Sequence, residues 1–201
     1  MGRPRSYERH AVISAAKDAF WQGGFLGTGI DELEQATGLS RSSLYLAFGS
    51  KQGLFLAALA DDETGFIGPM LAQVEAPGAG LREVAGFFTR LAGRFRDPSS
   101  QRGCLAVNSM TELPGRRPEF AETVPRLDAR YRAAFSNALD GAATRGEMER
   151  RLVERRVRLL ASSALGAWVT VRTDHAAAAA DCRAIAREVT SWRAGGHGTD
   201  G

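Results

Sequence analysis

Residues 28–51, TGIDELEQATGLSRSSLYLAFGSK, contain two short amphipathic segments joined by a glycine turn. Thr28 followed three residues later by Asp31 is typical of a helix start, because the hydroxyl can accept an unpaired backbone N–H and the carboxylate lies in the first turn. Gly38 is placed to end that helix in the left-handed conformation, and Ser40 is placed to cap the next helix. The spacing therefore predicts a helix-turn-helix.

The two predicted helices differ in the faces that they present. Apolar residues recur in the first helix at three-residue spacing, as Ile30, Leu33 and Ala36, and in the second helix as Leu44 and Phe48. The remaining face of the second helix is polar and comprises Arg41, Ser42, Ser43 and Tyr45. Such a face fits the major groove of DNA, where arginine can donate two hydrogen bonds to guanine and hydroxyl groups can bind bases or phosphates. The alternative is an ordinary helical hairpin whose polar side faces water.

The flanking sequence adds a basic arm and further helices. Arg3 and Arg5 belong to a short basic segment that precedes a helix with one apolar face. Downstream, Ser50 is placed to cap a helix that begins at Lys51. The apolar positions of the two flanking helices are Val12, Ile13, Ala16, Ala19, Phe20, Leu54, Phe55, Ala58 and Leu59. These helices can share one small core, and residues 1–50 are predicted to form a DNA-binding domain.

Residues 8–59 resemble the N-terminal domain of the tetracycline-repressor (TetR) family of bacterial transcription regulators. The residues that carry the resemblance are Phe20, Gly23, Gly24, Phe25, Thr28, Ile30, Asp31, Glu32, Leu33, Gly38, Leu39, Ser40, Leu44, Tyr45, Phe48, Ser50, Lys51, Leu54 and Phe55. The segment departs from the family at Ala47, where many members have a histidine, so one possible phosphate contact is missing.

The resemblance implies roles in binding double-stranded operator DNA. Tyr45 and Lys51 would contact phosphates, and Thr28 would hold the first helix of the helix-turn-helix against the DNA backbone. Residues 41–43 would approach base edges. The predicted DNA-contact residues are Arg3, Arg5, Thr28, Arg41, Ser42, Ser43, Tyr45 and Lys51.

Charge alone would not indicate DNA binding, because the net charge of the whole chain is only +3. The placement of the charges is more informative. The basic residues expected to converge on one surface are Arg3, Arg5, Arg41 and Lys51. The acidic residues Asp31, Glu32 and Glu34 lie on another predicted helix.

The rest of the chain is long enough for a second domain. The chain has 201 residues, of which 44% are hydrophobic, and few alternating runs indicate strands. Helices are predicted at about 51–74, 79–95, 104–113, 118–143, 149–173 and 176–192. The fold class is therefore all-α, with an N-terminal three-helix helix-turn-helix domain and a C-terminal helical domain at residues 51–193. The glycine-rich residues 194–201 are expected to be a disordered tail.

The resemblance implies that this second domain binds a ligand and dimerises. The helices at 149–173 and 176–192 would pair with those of a second copy, although they could instead complete a monomer core. Their apolar and small residues are Leu152, Leu159, Leu160, Ala164, Gly166, Ala167, Ala177, Ala178 and Ala180. The expected function is a homodimeric repressor that binds a palindromic operator and is released by a small molecule.

The expected effector is apolar or amphipathic, since aromatic and methionine side chains are frequent in the helices that enclose the family's ligand cavity. The predicted pocket residues are Phe66, Met70, Phe87, Phe88, Cys104, Asn108, Met110, Tyr131, Phe135 and Trp168. Residues of these types at helical spacing could equally be plain core. A DNA-binding dimer without any sensing role is a further alternative.

Residues 102–109 resemble a subset of the family that contains the sequence Gly-Cys-Leu, here Gly103-Cys104-Leu105. Some of these relatives respond to electrophiles or oxidants through the corresponding cysteine. Cys104 is therefore a candidate thiol sensor, and an inert buried side chain is the alternative, because thiolate reactivity needs exposure or nearby positive charge.

Other functional classes find no support in the sequence. There is no glycine-rich phosphate loop after a strand, no nucleophile motif and no paired metal ligands, so no enzymatic activity, cofactor or metal site is expected. The two cysteines and three histidines are too dispersed for a zinc site. No long apolar run or signal segment is present, so we expect a cytoplasmic protein without a membrane partner.

Overall fold

The structure is a computed structural model that describes residues 5–113, 120 and 126–193, with side chains from Arg9 onwards. In this part of the chain every regular element is helical, which confirms the predicted fold class. The α-helices are α1 (Arg5–Gly27), α2 (Ile30–Thr37), α3 (Arg41–Phe48), α4 (Lys51–Asp62), α5 (Gly68–Glu75), α6 (Leu81–Arg94), α7 (Leu105–Glu112), α8 (Arg126–Thr144), α9 (Val153–Thr170) and α10 (His175–Ser191). Short 3₁₀ segments precede α7 (Pro98–Arg102) and α9 (Arg150–Leu152).

Two compact units divide the described residues. The first contains residues 5–68, 104–113 and 120, and the second contains residues 69–103 and 126–193. The helix after α3 therefore belongs to the first unit, because Leu54, Phe55 and Ala58 are buried in the same core as α1. These compact units do not coincide with the functional division at residues 50 and 51, which remains a prediction.

The first unit is organised around α1, which packs against α2, α4 and α7. Its core contains four phenylalanine rings, Phe20, Phe25, Phe55 and Phe120, whose neighbouring centroids lie 4.8–6.3 Å apart. Burial of a side chain of this size stabilises the folded state by roughly 1.5–3 kcal/mol. The rings thus hold α1 and α4 together.

A glycine kink near the end of α1 brings the chain against α7. Gly24 has φ 71°, a left-handed conformation that favours glycine. The kink directs two consecutive backbone N–H groups to the carboxylate of Glu112, with the N–H of Phe25 at 3.0 Å and that of Leu26 at 2.7 Å. Glu112 therefore accepts two consecutive backbone N–H donors at the end of α1.

The long helix predicted from Lys51 towards Val74 is helical throughout but not uniformly α-helical. A π-helical segment, Glu63–Ile67, separates α4 from α5. It includes Gly65, where the sequence predicted weakening, and wider helical turns of this kind are common where a regular helix is interrupted. The predicted end near residue 75 agrees with the end of α5.

The second unit is a helical bundle in which α6 packs against α8 and α10, and α8 against α9. The predicted inward residues of α6 are buried, including Leu81, Val84 and Leu91. Asn137 on α8 donates to the carbonyl of Val74 at 3.0 Å, and so joins α8 to the end of α5. The start of the helix predicted at residue 118 and the predicted tail at 194–201 lie outside the described residues.

Candidate nucleic-acid interface

The turn between α2 and α3 has the predicted backbone geometry. Gly38 has φ 70°, and its N–H donates to the carbonyl of Glu34 at 2.9 Å, closing α2. Ser40 caps α3, because its hydroxyl accepts the backbone N–H of Ser43 at 3.3 Å. The two helices are therefore held at a fixed turn by the residues that the sequence singled out.

Helix α3 turns a narrow apolar side inward and leaves the rest exposed. Leu44 is 1% exposed and packs in the core of the first unit, with Phe48 half-buried beside it. Ser42, Ser43 and Tyr45 are exposed, so the structure brings these three predicted contact residues to one surface. The hydroxyls of Ser42 and Ser43 each lie 3.0 Å from that of Ser40.

The acidic residues of α2 do not lie apart from the basic surface as expected. Arg41 forms an ion pair with Asp31, with 3.2 Å between Nη2 and Oδ1. Its backbone N–H donates to the carboxylate of Glu34 at 2.7 Å. The physical reason is the tight turn, which places the start of α3 beside the acidic face of α2. The Arg41 guanidinium is exposed but already has an anionic partner.

Thr28 has a different role from the one expected. Gly29 is the cap residue of α2, and its N–H donates to the carboxylate of Glu32 at 2.6 Å. The Thr28 hydroxyl instead donates to the carbonyl of Gly24 at 2.6 Å, and the residue is only 2% exposed. The helix start predicted at Thr28 is therefore wrong, whereas the contact with the DNA backbone predicted for Thr28 stays a prediction. On α2, Ala36 is exposed rather than inward.

Lys51 occupies the first turn of α4, directly after its cap. The Ser50 hydroxyl accepts the N–H of Gly53 at 3.0 Å, as the sequence predicted. The Lys51 ammonium lies 4.5 Å from the centre of the Phe25 ring. A cation beside a helix N-terminus is a suitable arrangement for an anion such as a phosphate.

The sequence did not identify Arg9 as a residue of this surface. Its Nη1 donates to the carbonyl of Ala47 at 3.0 Å, and its guanidinium lies 4.3 Å from the centre of the Phe48 ring. Arg9 thus supports the C-terminal end of α3 from α1. No local pattern indicates this contact, since the hydrogen-bonded residues are 38 positions apart.

Leu46 was also missed. It lies on the exposed face of α3 and is 91% exposed. A leucine among the polar residues of this face is visible in the sequence, so the residue could have been identified there. Two predicted contact positions cannot be placed: Arg3 lies outside the described residues, as does the side chain of Arg5.

The predicted pocket residues are distributed over both units. In the second unit, Met70 is half-buried and the others form an aromatic cluster that comprises Phe87, Phe88, Tyr131, Phe135 and Trp168. Rings of this cluster contact one another with centroids 5.1–6.1 Å apart, and the Trp168 indole N–H donates to the Tyr131 hydroxyl at 3.1 Å. These contacts are typical of a packed core, the alternative that the sequence left open.

In the first unit, Phe66, Asn108 and Met110 are half-buried, and Met110 packs against the phenylalanine core. Cys104 precedes α7 and is fully buried. Cys182 in the second unit is also buried, and burial raises the pKa of its thiol to about 12. Burial favours the inert alternative for Cys104, because electrophiles and oxidants need access to the sulfur.

Two absences characterise the described part of the chain. Its His, Cys, Asp and Glu side chains form no group of three that could hold a metal ion. None of its helices combines the length and apolarity needed to cross a membrane.

Comparison with known proteins gives a consistent result. Residues 12–58, which include α2, α3 and most of α4, match the family of bacterial regulatory proteins called the tetR family. The HTH-type transcriptional regulator YezE of Bacillus subtilis is 30% identical over 148 residues, which cover 74% of this chain and 76% of YezE. The repressor ComR of Escherichia coli is 29% identical over 148 residues, covering 73% of this chain and 70% of ComR.

Among solved structures, a cysteine mutant of the TetR family regulator CifR in complex with 26-bp double-stranded operator DNA has a similar fold. The TM-score is 0.79 at 24% sequence identity, and the match covers 95% of this chain and 100% of that one. A TetR regulator from Chloroflexus aurantiacus has a TM-score of 0.81 at 21% identity, with 94% of this chain and 96% of that one covered.

Proposed function

The chain belongs to the tetR family of bacterial regulatory proteins, and we propose that it is a homodimeric transcriptional repressor that binds a palindromic operator and is released by a small molecule. The observation that carries this proposal is the exposed polar face of α3. This helix belongs to a helix-turn-helix in which Gly38 ends α2 and Ser40 caps α3. Residues 1–50 would form the DNA-binding domain, and residues 51–193 the effector-binding and dimerisation domain.

Three kinds of contact support DNA binding. Ser42 and Ser43, which are exposed, would contact base edges or phosphates, and Tyr45 and Lys51 would contact phosphates at the edge of the groove. Arg3 and Arg5 remain candidates for a basic arm, as in the sequence-based expectation. Phosphate contacts of this kind make affinity depend strongly on salt concentration.

The direct test is selection of binding duplexes from a randomised DNA pool with the purified full-length chain, followed by affinity measurements on the selected and a scrambled duplex. We expect a palindromic consensus and at least about 1000-fold preference over the scrambled duplex. Enrichment of no sequence over several rounds would refute the proposed function.

Dimerisation is supported by an apolar face of α9 that the subunit leaves uncovered. Leu159 is 55% exposed and Val169 is 50% exposed, and exposed Ser162 and Gly166 lie between them at helical spacing. On α10, small exposed alanines recur at four-residue spacing, at positions 176, 180 and 184. Other residues that the sequence also assigned to the dimer helices are buried within the second unit, namely Leu160, Ala164, Ala167 and Ala178.

Light scattering at micromolar concentration tests the dimer. We expect a dimer for the wild type and a monomer for Leu159→Glu, because a charge would enter an apolar interface. Ala133→Glu on the exposed side of α8 is the matched control and should remain dimeric. A monomeric wild type would contradict the proposal.

The effector is proposed to be a small apolar or amphipathic molecule, as in the sequence-based expectation, although the aromatic residues of the second unit pack against one another in this structure. A thermal-shift screen of such compounds, followed by DNA-release assays on the hits, tests this step. Compounds that raise the melting temperature and also release DNA would support it. A DNA-binding dimer that no compound stabilises or releases would correspond to the alternative without a sensing role.

We also propose that the chain belongs to the Gly-Cys-Leu subset, on the basis of Gly103-Cys104-Leu105. Membership of this subset does not by itself make Cys104 a sensor. Since the side chain is fully buried, we favour the small-molecule mechanism over a thiol-based one.

A further inference from the structure

Leu46 is the most exposed large apolar side chain in the described part of the chain. Its exposed fraction is 91%, against 38–55% for Leu26, Tyr45, Val169 and Leu159. Single apolar residues on a surface are common and need no special explanation. The position of Leu46 on α3, however, sets it apart from a randomly placed surface leucine.

Leu46 lies at the centre of the outward face of α3. Successive residues of an α-helix are rotated by about 100°, so Leu46 is about 200° from Leu44, which anchors α3 in the core. Ser42, four residues earlier, lies on the same outward face, and Ser43 lies beside it. Because Ser42 and Ser43 are small, the isobutyl group of Leu46 projects beyond them.

Arg41 is less suitably placed for base recognition than the sequence indicated. It precedes Leu44 by three residues, which puts it about 60° from the buried side of α3. Its guanidinium is paired with Asp31 at 3.2 Å. The centre of the outward face is therefore occupied by a hydroxyl and an apolar group, without a charged donor.

The chemistry of the major groove limits what an apolar group can recognise there. Base edges present hydrogen-bond donors and acceptors, and thymine alone adds a 5-methyl group. An apolar side chain gains from contact with that methyl group because both lose water-exposed apolar surface. We propose that Leu46 is a specificity-determining residue that recognises thymine through its 5-methyl group. This inference rests on the proposed operator binding.

The experiment uses duplexes selected from randomised DNA with the wild-type chain. In the selected site each thymine is replaced in turn by uracil, which removes only the 5-methyl group, and affinities are measured for the wild type and Leu46→Ala. Leu26→Ala, at an exposed apolar residue of the same unit, is the control variant. Because Leu46 is almost fully exposed, its substitution should leave the melting temperature unchanged.

We expect uracil at one or two positions of each half-site to weaken binding by the wild type and by Leu26→Ala about fourfold. Leu46→Ala should bind the thymine and uracil duplexes equally at those positions. Such a loss of sensitivity is the coupling between side chain and methyl group that a double-mutant cycle measures.

Equal effects of uracil on the wild type and Leu46→Ala, or no effect at any position, would overturn the assignment of Leu46 while leaving operator binding intact. Failure to select any sequence would instead remove the proposed function, and the inference with it. The two failures are therefore distinguishable.

Discussion

Arg41 and Asp31 form an ion pair across the turn of the helix-turn-helix, with 3.2 Å between the guanidinium and the carboxylate. Both side chains are largely exposed, so the pair contributes little to the stability of the fold. Its importance lies in competition, since an arginine bound to Asp31 must leave that partner before it can bind DNA.

The first prediction concerns this competition. Asp31→Asn should strengthen DNA binding about two- to fivefold, because a surface pair is worth up to about 1 kcal/mol and a negative charge is removed near the DNA. Arg41→Ala should then cost more affinity in the Asp31→Asn background than in the wild type. The measurement is a double-mutant cycle by fluorescence anisotropy, with Asp140→Asn on α8, which removes the acid of another exposed ion pair, as the charge-matched control. Equal costs in both backgrounds would show that the pair does not restrain Arg41.

The second prediction concerns the phosphate contact assigned to Lys51. Lys51→Ala should weaken binding to selected and random DNA by similar factors and reduce the slope of log K against log salt by about one. Lys17→Ala removes the same charge from the same unit, but Lys17 binds Asp61 at 2.6 Å and should leave the slope unchanged. If Lys51→Ala weakened binding to the selected sequence only, the result would contradict a contact between Lys51 and a phosphate.

The third prediction separates positioning from charge at Arg9. Its planar guanidinium both stacks on Phe48 and donates to Ala47, and lysine cannot reproduce this geometry. If Arg9 positions α3, Arg9→Ala and Arg9→Lys should weaken specific binding by similar factors, with the salt slope of Arg9→Lys unchanged. Rescue by lysine would indicate that Arg9 acts only as a positive charge.

The fourth prediction concerns the Glu112 carboxylate, which accepts the N–H groups of Phe25 and Leu26. Glu112→Ala should lower the free energy of unfolding by about 1.5–3 kcal/mol, because two donors lose a charged acceptor. Glu112→Gln should cost less, since its amide oxygen can still accept. Urea denaturation measures both, and Thr111→Ala on the exposed side of α7 is the control. Unchanged stability of Glu112→Ala would show that water replaces the carboxylate.

The fifth prediction concerns the thiols. Burial raises the pKa of Cys182 to about 12, so its side chain is a neutral thiol at pH 7, and Cys104 is fully buried. N-ethylmaleimide should therefore modify neither cysteine of the folded protein within minutes. In urea, which unfolds the protein, it should modify both cysteines rapidly. Mass spectrometry measures the labelling. Rapid native labelling of Cys104, with loss of DNA binding that Cys104→Ser prevents, would revive the thiol-sensing alternative.

The raised pKa of the Cys182 thiol in the folded state also makes the stability of the protein depend on pH. The stabilising contribution of the neutral Cys182 thiol is fully present below the unfolded-state pKa, near 9, and is lost as the pH rises towards 12. Stability should therefore decline across this range, and less steeply for Cys182→Ala.

The local part of the site was predictable from sequence. Gly38, Ser40 and Ser50 act through neighbours within four residues, so their side-chain and backbone chemistry was sufficient to locate the turn and two caps. Thr28 was misassigned because two adjacent residues, Thr28 and Gly29, both suit a cap, and only the packed structure shows which one is buried. The range and type of most helices followed from apolar spacing.

The sequence by itself determined the helical class, the helix-turn-helix and the residues that close it, because these depend on contacts along the chain. Tertiary structure alone decided that Arg41 binds Asp31, that Arg9 supports α3 and that Glu112 holds the end of α1. Each of these contacts joins residues brought together by packing of separate helices around the phenylalanine core. Spacing along the chain carries no information on such distances, so the electrostatic character of the exposed surface of the helix-turn-helix emerged only in the folded molecule.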